Sequence, residues 1–203
     1  MRTTVHVVRH GEVHNPGQVL YGRLPGFGLS AAGEAMAVAT AQSLADRDIT
    51  YVVSSPLERA RQTAKPFAEP RHLEVRIDDR LIEAANIFQG RRILGPTSLM
   101  RYPGTWAQFR NPFRPSWGEA YQQIALRMFA AVRSARDQAA GHEAVCVSHQ
   151  LPIVALRRYV EGQRLWHDPR KRQCGLASVT SLTFHDERVV SVEYTDPAAL
   201  PRS

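Results

Sequence analysis

Thr3-Thr4-Val5-His6-Val7-Val8-Arg9-His10-Gly11-Glu12 is the stretch on which the fold turns. Its first six residues form a β-branched, apolar run too short for a helix, and Arg9-His10-Gly11 stops it, so it reads as a buried strand. A loop rich in Gly and Pro follows, from 11 to 29. Ser30 then offers an N-cap for a helix over about 31–45, with Ala35, Val38, Ala39, Leu44 and Ala45 on a loosely apolar face. Tyr51-Val52-Val53-Ser54 reads as a second strand. Ser55-Pro56 opens a helix near Leu57, with Pro tolerated in the first turn where its missing N–H costs nothing. Val75-Arg76-Ile77 is a weak third strand.

Between residues 86 and 115 the character changes. Pro96, Pro103, Pro112 and Pro115 break periodicity, Trp106, Phe109 and Phe113 add aromatic bulk, and five arginines add charge. A stretch this long inside a compact domain reads as an inserted loop or lid. Tyr121, Ile124, Met128, Ala131, Val132 and Ala135 then fall at helical spacing, as core rather than cofactor contacts, and Gly141 ends that helix. A strand over 144–148, a helix over about 152–160 and two β-rich runs, 177–184 and 189–194, close the chain. Strands alternating with helices imply βαβ units. The expectation is one α/β domain over 1–203: a three-layer sandwich with a mostly parallel central sheet and helices on both faces.

Composition narrows the class. With 203 residues, 43% hydrophobic and 22% charged, the chain is no disordered tail, collagen-like fibre or disulfide scaffold. No apolar run approaches the roughly 18–20 residues of a membrane helix, and the first residues run directly into a strand rather than a signal peptide. A soluble, cytoplasmic protein with no membrane partner is expected. Cys146 and Cys174 are too few for a disulfide framework and lack metal-ligand spacing. The formal charge is +7, and Lys65 and Lys171 are the only lysines. That arginine skew has three readings: genomic composition, guanidinium forks gripping phosphate or carboxylate, or a nucleic-acid partner. No stripe of basic residues interleaved with aromatics favours the last.

In a sheet of this kind ligands bind beyond the carboxyl ends of the strands. Arg9, His10, Gly11 and Glu12 stand there after the first strand. Ser54, Ser55 and, one turn on, Arg59 follow the second, and His149 follows the strand over 144–147. Two histidines and two arginines thus meet at one rim, where a helix start adds backbone N–H groups that favour an anion. A neutral imidazole can attack phosphorus and carry the phosphoryl group. Neighbouring guanidinium groups disfavour the imidazolium form of His10 and neutralise the transferring oxygens. His149 can donate to the same oxygens. For the acid that the leaving alcohol needs, the residues offer two candidates, Glu12 and Glu83.

These residues resemble a family. Val8-Arg9-His10-Gly11-Glu12 looks like the signature of the histidine phosphatase superfamily, which includes the cofactor-dependent phosphoglycerate mutases and many small phosphatases. The run from Ser54 through Arg59 to Ala64 resembles its second phosphate-binding segment. Arg80-Leu81-Ile82-Glu83, with Gln89-Gly90 after it, resembles the segment bearing its proton donor, and Val147-Ser148-His149 the last motif. One triplet is weak; four motifs in register from Val5 to His149 are strong. The resemblance implies a phosphoglycerate mutase-like fold, with His10 as the phosphorylated nucleophile, Arg9, Arg59 and His149 as phosphate ligands, and Glu83 as the general acid that later activates water. It also implies that Asn15 reaches the phosphate, although the family's Asn lies one position further from the histidine. Gln150 replaces the family's Gly and is expected to narrow the pocket floor.

A mutase must exclude water and hold a diphosphorylated acid. Mutases of the family carry Arg-His-Tyr after the acid, whereas Ala84, Ala85 and Asn86 follow Glu83 here and the chain is shorter. Hydrolysis of a small phosphorylated metabolite is the expected activity. A mutase and a non-catalytic phosphate-binding module are the alternatives; the module predicts loss of His10 or Glu83, and both are present. Neither metal nor organic cofactor is expected, since strand sequence and Gly11 spoil the spacing of His6, His10 and His14 for ligation. A homo-oligomer stays open. His142, His167 and His185 read as surface residues, Cys146 as core, and the GxGxxA-like match over 26–31 as an accidental echo of a dinucleotide fingerprint.

Overall fold

The computed structural model describes residues 1–92 and 118–198. Most of the expected insert over 86–115, with Trp106, Phe109 and its later arginines, therefore lies outside the described residues.

Six strands form one sheet: β1 (Arg2–Arg9), β2 (Ile49–Ser54), β3 (Val75–Ile77), β4 (Glu143–Ser148), β5 (Val179–His185) and β6 (Arg188–Thr195), in the order β3-β2-β4-β1-β5-β6. The first four in that order run parallel. β5 runs antiparallel to β1 and β6 antiparallel to β5, joined by a two-residue hairpin whose Asp186 takes φ 53°. Of these six strands β5 alone runs against the others: the short hairpin can only return β6 antiparallel to β5, which sets β6 in the direction of β1.

Four helices cover it: α1 (Ala31–Ser43), α2 (Glu58–Ala68), α3 (Tyr121–Gln138) and α4 (Gln150–Val160). Successive strand side chains point to opposite faces, and here both faces are buried. Val5 and Val7 of β1 with Ala144 and Cys146 of β4 pack against Met128, Val132, Ile153 and Leu156 of α3 and α4. Val8 with Val145 and Val147 packs on the other side against Ala60, Ala64 and Phe67 of α2 and Ala41 of α1. The result is the expected three-layer α/β sandwich, with near-continuous apolar runs as central strands covered on both faces require.

Local chemistry sets the boundaries. Ser30 caps α1 by accepting from the Gly33 N–H at 3.0 Å, which also explains the glycines before it as a loop rather than a cofactor fingerprint. Pro56 stands before α2, outside its first turn, because Leu57 is the extended N-cap residue. α4 begins at Gln150, two residues earlier than expected, and Pro152 fits inside its first turn. His6 is fully enclosed: Nδ1 meets Ser181 Oγ at 2.8 Å and Nε2 meets Glu143 at 2.7 Å. Cys146 is core, with burial pushing its thiol up well beyond the usual range.

Candidate active site

The strand register builds the site. Arg9 at the end of β1 lies opposite Ser148 at the end of β4, and Ser54 at the end of β2 lies beside Val147. The next residue on each strand, His10, His149 and Ser55, is therefore delivered to one place. The rings of His10 and His149 lie 5.1 Å apart, centroid to centroid. His10, Ser55, Arg59 and His149 are all buried, and Arg9, His10, Tyr21, Glu83, Gln150 and Arg172 are among the residues lining a cavity of about 320 Å³ at this rim.

His10 Nδ1 lies 2.8 Å from the Gly11 carbonyl oxygen. A carbonyl only accepts, so Nδ1 carries the proton and Nε2 keeps the lone pair. Burial first, and then the Arg59 and Arg9 charges, push the pKa of His10 down to about 3. The imidazole is thus neutral at ordinary pH. His149 sits at the extended N-cap of α4, and burial followed by the neighbouring His10 and Arg59 charges holds it well below the usual histidine range. Its Nε2 lies 2.8 Å from Ser55 Oγ, and its Nδ1 lies 3.4 Å from Arg59 Nη2.

The two arginines are anchored from behind. Arg59 Nη2 donates to the Gly22 carbonyl at 2.7 Å, and its guanidinium lies 4.7 Å from the centre of the Tyr21 ring. It forms no ion pair with Glu58. Arg9 Nη1 donates to the Cys174 carbonyl at 2.6 Å. The Nε of Arg9 and that of Arg59 are buried and bond to nothing among the described residues. Orphaned buried donors are costly, and two of them on guanidinium groups beside a neutral imidazole mark a site shaped for an anion.

The two acid candidates separate. Glu12 accepts from Ser30 Oγ at 2.7 Å and belongs to the start of α1. Glu83 lines the cavity. Burial raises its pKa, against the pull of the Ala84 N–H and of the Arg59, Arg9 and Arg172 charges. That is the direction a proton donor needs.

Asn15 requires a correction. Its Nδ2 donates to the Val19 carbonyl at 2.8 Å and its Oδ1 accepts from the Val19 N–H at 3.0 Å, and it is absent from the cavity wall. The amide braces its own loop. Gln150 does line the cavity, with Nε2 donating to the Cys174 carbonyl at 3.4 Å. Two contributors escaped the sequence reading. Thr63, inside the quoted second segment, receives the Gly11 N–H at 3.1 Å and holds the loop after His10 against α2. Arg172 reaches the cavity from the loop after α4, where no pattern announces it. His167, expected at the surface, is half-buried and accepts from Arg172 Nε. Among the described residues no cluster of His, Cys, Asp and Glu could hold a metal, and no helix is long and apolar enough to cross a membrane.

Comparison with known proteins agrees with this geometry. The chain is 60% identical over 198 residues to the uncharacterized protein Rv0525 of Mycobacterium tuberculosis, covering 98% of each. It is 31% identical over 183 residues to a probable phosphoglycerate mutase, GpmB, of Escherichia coli, covering 86% of this chain and 83% of that one. Among solved structures, the mycobacterial glucosyl-3-phosphoglycerate phosphatase Rv2419c superposes with a TM-score of 0.74 at 28% identity, covering 96% of this chain and 97% of that chain. The model of the histidine phosphatase superfamily, branch 1, matches residues 5–197, well past His149 where the recognised motifs end. With two imidazoles and two guanidinium groups gathered where the strands end and the family pattern running almost from end to end, the chain belongs to the histidine phosphatase superfamily.

Proposed function

We propose that the protein hydrolyses small phosphomonoesters through a phosphohistidine on His10. The observation that carries this reading is the fixed tautomer of His10, whose proton is held on Nδ1 by the Gly11 carbonyl beside the two orphaned guanidinium Nε groups. Nε2 attacks phosphorus, the N–P bond forms, and the P–O bond to the alcohol breaks. Glu83, its pKa raised by burial, gives its proton to the departing oxygen. Arg9, Arg59 and His149 hold the three equatorial oxygens, His149 donating from Nδ1 while its Nε2 accepts from the Ser55 hydroxyl, and such preorganised donors act without reorganisation cost. A water then attacks the phosphohistidine, Glu83 takes its proton, and the N–P bond breaks to release phosphate and restore the Nε2 lone pair. Gln150 narrows the floor of the cavity. Asn15 has no part in this scheme.

The absence of the mutase's Arg-His-Tyr after Glu83 supports hydrolysis over phosphoryl return. A single domain acting in the cytoplasm, without metal, completes the reading. The test is rapid quenching under alkaline conditions, which preserve a phosphoramidate, with a radiolabelled phosphomonoester. Label on the wild-type chain and none on His10→Ala is expected; turnover with no labelled protein would overturn the intermediate. Isomerisation of 3-phosphoglycerate with its diphosphorylated activator, faster than release of phosphate, would overturn the choice of hydrolysis.

A further inference from the structure

Arg172 occupies a place that the reaction above does not use. It lies in the loop between α4 and β5, directly after the 3₁₀ turn Pro169–Lys171, and lines the same cavity as Arg9, His10 and Glu83. Its guanidinium is held in place. His167 Nδ1 lies 2.7 Å from the Leu165 carbonyl, which only accepts, so His167 Nε2 carries a lone pair. Arg172 Nε donates to that lone pair at 2.9 Å. The His167 ring in turn lies 5.8 Å from that of Tyr121 at the start of α3. One edge of the guanidinium is thereby spent on a neutral partner, and no described carboxylate bonds to it.

Charge balance gives this arm its meaning. A phosphate dianion is matched by Arg9 and Arg59. Glu83, the acid in the cavity wall, must be protonated and neutral to serve the leaving alcohol. While the intact ester is bound and Glu83 still holds its proton, Arg172 is a half-buried cation with no counter-charge from the described carboxylates, an arrangement that is costly unless a partner supplies one. We infer that the substrate supplies it: the structure assigns Arg172 as a specificity residue that reads a second anionic group, a carboxylate or a further phosphate, on the leaving portion of the phosphomonoester. The planar fork has five donors; held by His167 at Nε and by the Tyr121 side chain, it keeps donors left over for such a group.

This rests on the proposed phosphatase activity, and the experiment separates the two. Steady-state kinetics are measured for wild type, Arg172→Gln and Arg172→Lys on 3-phosphoglycerate, a sugar bisphosphate and the uncharged-alcohol ester glycerol 3-phosphate. In the wild type, kcat/KM for one of the two doubly anionic esters is expected to exceed that for glycerol 3-phosphate. Which of the two leads tells carboxylate from phosphate. Arg172→Gln is expected to collapse that preference by about 10- to 100-fold, the worth of a charge-assisted contact, chiefly through KM, and Arg172→Lys to restore part of it. Two results would overturn the inference: equal loss on all three esters together with a shifted pH profile, which would mark Arg172 as a partner of Glu83, or a wild type with no preference for a second charge. A wild type that hydrolyses none of the esters would instead defeat the phosphatase reading.

Discussion

His10 shows how little chemistry a nucleophile needs beyond a fixed proton and a charged setting. Its Nδ1 bond to Gly11 makes the reacting nitrogen the same in every turnover. His10→Ala is expected to abolish hydrolysis. Arg59→Lys is expected to cost roughly 10²–10³ in kcat, the scale of losing a preorganised donor, because an ammonium cannot reach the Gly22 carbonyl and a phosphate oxygen from one plane; loss confined to KM would contradict this. Glu83 carries a second prediction with a definite sign. Burial raises its folded pKa, so its neutral form is favoured on folding. The stability it contributes is present at low pH and lost as pH rises through that raised pKa. Glu83→Gln holds the group neutral at every pH. It is expected to slow alkyl phosphates more than nitrophenyl phosphate, to remove the alkaline limb of the rate profile, and to raise the thermal midpoint at pH 8. Equal slowing of both esters would remove Glu83 as the acid.

At the scale of elements, the decisive contact joins the loop after β1 to the first turn of α1. A Cβ on Gly33 would stand 2.0 Å from the Glu12 carbonyl oxygen, and one on Gly11 2.4 Å from the Gly33 carbonyl oxygen. Both obstructing atoms are backbone and cannot swing aside. The helix therefore docks on the strip that carries His10 only because two side chains are missing. Gly33→Ala is expected to destabilise by roughly 1–3 kcal/mol, as overpacking does, and to lower kcat more than tenfold by shifting His10, since a misplacement of about 1 Å can cost 10²-fold. Urea unfolding and single-turnover rates measure the two effects separately. An unchanged rate with lowered stability would show that the strip is held by Thr63 alone. Ser30 as the α1 cap and the apolar face of α3 were readable from local pattern. This glycine pair was not, because nothing along the chain tells Gly33 that Gly11 lies against it.

Across the whole molecule, three histidines are buried with lowered pKa: His6, His10 and His149, each chiefly by desolvation. Unfolded, all three titrate near 6.5. Between that value and their folded values, down to about 3 for His10, the unfolded chain binds more protons than the native one. Stability is therefore expected to fall as pH drops below 6.5. Glu83 works in the opposite direction and offsets only part of it. Urea midpoints at pH 7.5 and 5 check this; a higher midpoint at pH 5 would mean that the histidines are charged in the native state.

The chain order of residues was enough to place strands, helices and the four motif segments, since periodicity, caps and the Arg-His-Gly pattern are properties of neighbours in sequence. It was also enough to single out His10, Arg9, Arg59, His149 and Glu83 as candidates for one site. Folding alone made the choices between like groups. It put Glu83 in the cavity and Glu12 on a helix cap, turned Asn15 onto Val19, swung Arg172 and His167 in from the loop after α4, and ran β5 against the other strands. Those outcomes depend on which groups end up against one another once the chain is packed, and on which of them lose water when they do. Both are facts of packing, to which a local pattern has no access.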